Sequence, residues 1–132
     1  MGRKLEKVDE FINWSASNTR AIEGMGMYAR LYFGVYDNLR SNEKLFSDTH
    51  ADWTKLRTGL RDLIRLYPRS KFHKNIFALM ACEANDKQAY NEVRNLINET
   101  EKWSWSSKYT VRVCDEKFGY SKQRIANADW KI

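Results

Sequence analysis

The sequence predicts an all-α protein, a small bundle of five to six helices, on three grounds. Apolar residues recur at spacings of three and four along most of the chain instead of alternating. One proline, Pro68, and six glycines supply too few tight turns for an all-β fold. Apolar residues make up 42% and charged residues 30% of the 132 residues, the balance of a globular chain and not a disordered one. That length suits a single helical domain over residues 1–132 and buries enough surface to fold without a disulfide or metal.

Leu5, Val8, Phe11 and Ile12 repeat at three and four between charged residues and predict a first helix of about ten residues. The polar run from Asn13 to Asn18 around Trp14 reads as a turn, so residues 1–18 form an N-terminal arm or helix. A second helix starts at Thr19 or at Gly26 and runs to Asn38. Its stripe is Tyr28, Leu31, Tyr32, Val35, Tyr36 and Leu39, and Gly24 and Gly26 weaken its early part. Gly34 sits at the edge of that stripe. A glycine inside a helix costs about 1 kcal/mol relative to alanine, so its presence predicts that another helix approaches closely there. Arg40 to Thr49 is polar and reads as a loop with Leu45 and Phe46 tucked inward.

The third helix is the clearest. Asp52, or alternatively Thr49, caps it, and Trp53, Leu56, Leu60, Leu63, Ile64 and Tyr67 fall on one core-facing stripe. Tyr67-Pro68 ends it, because proline lacks the N–H and turns its predecessor away from helical angles. Ser70 caps a fourth helix to about Ala84 with Phe72, Ile76, Phe77, Leu79 and Met80 apolar. Asn85-Asp86 makes a turn, and Asp86 caps a fifth helix from Lys87 to about Glu99 whose inner face is Ala89, Tyr90, Val93, Leu96 and Ile97. So short a joint predicts an antiparallel hairpin. Tyr109 to Val113 alternates like a strand, but Tyr109, Val113, Cys114 and Phe118 also pair at helical spacing behind a Ser107 cap. A lone strand would lack a partner, so a helix ending at Gly119 is the reading adopted. Residues 120–132 form a tail that is polar apart from Ile125, Trp130 and Ile132, loose or partly helical.

One stretch has a resemblance. Gly26-Met-Tyr-Ala-Arg-Leu-Tyr32, Ala51-Asp-Trp53, Gly59-Leu60, Tyr67-Pro68 and Phe77-Ala-Leu-Met-Ala-Cys82 followed by Asp86 resemble a group of uncharacterised bacterial proteins. Their helical region is similar to tetratricopeptide-type repeats, and the likeness covers about residues 24–100. It implies one tetratricopeptide-like helical hairpin inside the bundle. A full array would repeat every 34 residues or so, and no second copy of the Tyr-Pro to Asp joint is present. The resemblance implies no catalytic residues.

Charge is spread unevenly through the net +6: residues 40–74 hold nine Lys/Arg against four Asp/Glu, while residues 80–101 hold two against five. The patterned part is Arg57, Arg61 and Arg65, spaced by four beside the apolar face of the third helix, with Arg69, Lys71 and Lys74 beyond the proline. Guanidinium forks at that spacing suit phosphates or an acidic partner. The plainer alternative is that the arginine stems shield the edge of the core stripe and pair with Asp62, Glu83 or Glu92. The aromatics, 14% of the chain with five Trp and seven Tyr, serve cores and interfaces alike.

Catalysis and metal binding find little support. His50 and His73 have no Cys or His companion three or four residues away, so no zinc site is expected. Cys82 and Cys114 match no metal or redox spacing, and both are expected as free, buried, reduced thiols. No phosphate loop is present, Gly24-Met-Gly26 being too short a signal, and no cofactor is expected. No stretch is long enough to cross a membrane, the N-terminus lacks a signal-peptide core, and Met1 to Glu6 fails the myristoylation pattern. The expectation is therefore a cytoplasmic protein-interaction or adaptor module without enzymatic activity. The alternative is a nucleic-acid-associated protein using the basic stripe, and an enzyme comes third.

Overall fold

Seven helices and no strand make up the residues that the computed structural model describes, 6–98 and 109–121. They are α1 (Glu6–Glu23), α2 (Gly26–Asp37), α3 (Leu45–Asp48), α4 (Trp53–Leu66), α5 (Lys71–Glu83), α6 (Lys87–Arg94) and α7 (Val111–Phe118). The expected all-α class is found. The chain divides into two units, Met1–Leu66 and Tyr67–Ile132, and the division falls at Tyr67-Pro68, where α4 was expected to stop. Leu5, Trp103, Trp105, Ser107 and the tail from residue 122 lie outside the described residues.

In the first unit α1 and α4 each pack along α2 and meet one another only sparsely. The core is Ile12 and Ala16 from α1, Tyr28, Ala29 and Tyr32 from α2, Leu45 from α3, and Leu56, Leu60, Leu63 and Ile64 from α4. The expected turn at Asn13–Asn18 does not occur: α1 runs through it for 18 residues. Asn13 and Asn18 fold their amides back onto the carbonyls of Asp9 and Trp14, each at 2.8 Å, so polar side chains that would favour a turn are satisfied within the helix. The break comes instead at Gly24, whose φ of 59° suits a residue without Cβ.

The close helix approach expected at Gly34 is not there, since a Cβ at Gly34 would meet nothing. It occurs at Gly59, where an added Cβ would lie 2.3 Å from the Met25 carbonyl oxygen and 3.0 Å from the Ala29 Cβ. Leu45 is buried as expected, but its segment is a helical turn, α3, and not a loop. Asp52 caps α4, accepting the Thr54 N–H at 2.8 Å.

In the second unit α5 packs on α6 and touches α7. Nearly all of α5 from Asn75 to Cys82 is buried. Ser70 and Asp86 cap α5 and α6 as expected, accepting from the His73 and Ala89 N–H groups. Asn85, at φ 60°, makes the joint between them. Helix α6 stops at Arg94, short of Glu99, and the next turn leaves Leu96 exposed while Ile97 is buried. Residues 111–118 are helix, capped by Thr110 in place of the expected Ser107 and closed by Gly119 at φ 62°. Phe72 and Tyr67, expected on core faces, are exposed.

Candidate functional site

Helix α1 carries two apolar faces where the sequence suggested one. Ile12 and Ala16 point into the first unit together with Asp9 and Ser15. Phe11, Trp14 and Ile22 are 56%, 64% and 78% exposed, and Val8 joins them at its edge. At about 100° per residue, Phe11, Trp14 and Ile22 fall within an arc of roughly 80° that adjoins the buried face at Ser15. The rings of Phe11 and Trp14 stack at a centroid distance of 6.4 Å. Asn18 separates Ile22 from that pair, but exposed large apolar side chains are the kind of surface that docks partners, and aromatics dominate such contacts energetically. This face was missed because Trp14 was placed in a turn; Phe11, Trp14 and Ile22 share a face only when the helix is read through Asn18.

The basic stripe is divided between the units. Arg57, Arg61 and Arg65 lie on α4 in the first; Arg69, Lys71 and Lys74 lie just before and in the first turn of α5 in the second. Arg57 and Arg61 are half-buried, whereas Arg65 is exposed and donates to Asp62 at 2.6 Å. The Asp62 carboxylate also accepts the Met25 N–H at 2.8 Å, which ties the α1–α2 turn to α4. Arg65 thus steadies a carboxylate with a structural task, the plainer of its two expected roles.

Each unit encloses one tyrosine–carboxylate network. In the first, the Tyr32 hydroxyl donates to the buried Asp9 carboxylate, which also accepts the His50 N–H at 3.2 Å. Tyr28 packs against Tyr32 with its ring tilted by 56° at a centroid distance of 4.8 Å, and its hydroxyl accepts the Asp52 N–H at 3.0 Å. Burial, reinforced by the hydrogen bond to Asp9, pushes the Tyr32 phenol far above its ordinary pKa. In the second, Arg94 grips Asp115 with two hydrogen bonds of 3.0 and 3.1 Å and donates to the Ile97 carbonyl. Tyr90 donates to the same carboxylate, and burial followed by that hydrogen bond raises its pKa strongly. Burial opposes the Arg94 charge, but Asp115 outweighs it and holds the guanidinium above its ordinary pKa. Every member of these networks has a partner inside the fold, so they read as internal fastenings.

The cysteines correct an expectation. Cys82 and Cys114 are not free thiols: they form a disulfide between α5 and α7, their Cα atoms 6.0 Å apart. The reduced reading rested on a spacing of 32 residues, which says nothing about distance once α7 docks on α5. With both sulfurs bonded, neither is a nucleophile in this state. Of the histidines, His50 is exposed, and His73 packs between the rings of Tyr67 and Phe72. No described helix is long and apolar enough to cross a membrane.

No protein-family model, curated protein or solved structure matches the chain. The functional reading therefore rests on its own residues.

Proposed function

We propose that this chain is a protein-interaction or adaptor module whose docking surface is the outward face of α1, occupied by an apolar helix of a partner protein. The exposed, stacked pair Phe11 and Trp14 carries the reading. An 18-residue helix is about 27 Å long, and Val8, Phe11 and Trp14 follow one another at intervals of three, with Ile22 farther along, as anchors for a second helix. Glu10 borders this face and Lys7 lies at its N-terminal end, charges of opposite sign as on the polar rim of an interface. The hairpin of α5 and α6 belongs to the stretch that resembles tetratricopeptide-type bacterial proteins, and stacked helical hairpins serve as scaffolds for binding surfaces.

The expected cytoplasmic location rested on the absence of a membrane span and of a signal-peptide core, and it carried the expectation of two reduced thiols. The Cys82–Cys114 bridge supports an oxidising compartment instead.

The test uses a photocrosslinking residue in place of Phe11, in place of Trp14, or, as a control, in place of Arg57. The expected result is one protein, identified by mass spectrometry and crosslinked from the α1 positions only. Purified, that protein should bind the chain, and Phe11→Ser with Trp14→Ser should weaken it at least about tenfold with an unchanged circular dichroism spectrum. Crosslinking only from position 57 would remove α1 as the docking face. Micromolar nucleic-acid affinity at about 150 mM salt, abolished by Arg57→Gln, Arg61→Gln and Arg65→Gln together, would replace the reading with the nucleic-acid one.

A further inference from the structure

The flank of α1 that adjoins its core face at Ala16 forms one wall of a cleft. Because α1 and α4 both pack on α2 but scarcely touch each other, a gap of about 310 Å³ is left between them. Asn13, Ala16, Ser17 and Arg20 line it from α1; Thr54, Lys55 and Thr58 line it from α4; Met25 closes the end. One cation thus lines it from each wall, Arg20 from α1 and Lys55 from α4, and no carboxylate is among its lining residues. The acids nearby in sequence have other tasks. Asp52 accepts the Thr54 N–H, Glu23 pairs with Arg30 at 2.8 Å, and Asp62 holds Met25 and Arg65. Among the described residues neither Arg20 nor Lys55 enters an ion pair; the Lys55 ammonium has only the Tyr28 ring, 6.0 Å away.

We infer that this cleft binds a small phosphomonoester. An anion seated in the cleft is attracted by a cation on either wall and meets no carboxylate that would repel it. The hydroxyls decide which anion. Thr58 donates to the Thr54 carbonyl at 2.9 Å, while Ser17 on one wall and Thr54 on the other add hydroxyl side chains to the lining. A terminal phosphate presents three oxygens in a tetrahedral spread and meets donors from both walls at once. A carboxylate presents two in a plane and meets one wall well. Because Asp52 already occupies the first N–H groups of α4, the anion is held by side chains and not by the helix end. The volume lies at the lower edge of small-molecule sites, about 300–1,000 Å³, and Ala16 and Met25 give it a modest apolar floor. The remainder of the ligand is thus no larger than a short polyol or a single sugar. The site is independent of the outward α1 face.

Isothermal titration calorimetry on the full chain at fixed ionic strength tests this, with glycerol 3-phosphate, inorganic phosphate and acetate as probes. Saturable binding of glycerol 3-phosphate is expected, at least about tenfold tighter than acetate. Arg20→Gln or Lys55→Gln should each weaken it about tenfold or more, and Arg57→Gln should leave it unchanged. Ser17→Asp, at an exposed position that the fold does not need, should abolish it by placing a carboxylate in the cleft. Absence of saturable glycerol 3-phosphate binding would overturn the inference. So would equal affinity for acetate, or equal weakening by Arg57→Gln, since either would reduce the effect to general surface charge.

Discussion

Taking a guanidinium out of water costs several kcal/mol unless its charge and its donors are met, and Arg94 shows how this chain meets both. Only 2% exposed, it spends two donors on Asp115 and one on the Ile97 carbonyl, and the Tyr120 ring lies over it at 4.6 Å. Arg94→Ala leaves the Asp115 carboxylate and the Tyr90 hydroxyl without that charge, so a loss of about 3–5 kcal/mol is expected in urea unfolding. A loss under about 1 kcal/mol would mean that the pair behaves as a surface salt bridge. The tyrosines give a pH dependence of definite sign. Tyr28, Tyr32 and Tyr90 have folded pKa values raised above the ordinary 10.0, in each case first by burial. The folded state therefore favours the neutral phenol. Its contribution is complete below the unfolded value near 10.0 and is lost as pH rises past it toward the folded values. Alkaline titration followed by phenolate absorbance should show these three ionising together with unfolding. Titration of all seven tyrosines near 10.0 in a still-folded protein would contradict their burial.

At the scale of elements, legibility followed how strongly local chemistry constrains the backbone. The middle of the α4 stripe, from Leu56 to Ile64, was readable from its periodicity, and the Asp52, Ser70 and Asp86 caps and the Gly119 stop were readable because each rests on a residue type with one favoured backbone role. The course of α1 was not readable. Asn13, Ser15, Ser17 and Asn18 favour turns in isolation, and only docking of Ile12 and Ala16 on the first unit's core overrides that preference. With the helix misread, both its outward aromatic face and its cleft-lining face were hidden. The close helix crossing was likewise assigned to the wrong glycine, since sequence shows that a glycine exists but not what stands opposite it. Gly59 is the tested position: a Cβ there meets backbone at Met25, which cannot rotate aside. Gly59→Ala should destabilise by about 1–3 kcal/mol, while Gly34→Ala, with open space around it, should stabilise by about 0.4–1 kcal/mol. Equal effects at both sites would mean that α2 and α4 do not approach closely at Gly59.

For the molecule as a whole the disulfide matters most, because it is the feature that sequence spacing concealed and that bears on where the protein works. It joins α5 to α7 across 32 positions, and the Lys117 ammonium adds a second tie by donating to the Cys82 carbonyl at 3.0 Å. Closing a loop of that length removes chain entropy from the unfolded state worth about 4 kcal/mol, before any strain or residual structure is counted. The described helices of this unit have only 13, eight and eight residues, so such a staple is a large addition to what their packing supplies. Two measurements follow. Denatured without reductant, the protein should show no reactive thiol, and after reduction it should show two. Cys82→Ala with Cys114→Ala should lower the denaturant midpoint of the second unit. The first unit, which contains neither cysteine, should keep its own transition. Monitoring the two units with separate probes is essential, because a two-unit chain need not unfold in one step. Two thiols found before reduction would return both cysteines to packing roles and restore a reducing compartment. No thiol before reduction, together with a selective loss of the second unit in the double variant, would fix the bridge as the staple of that unit and oxidising surroundings as the place where it forms.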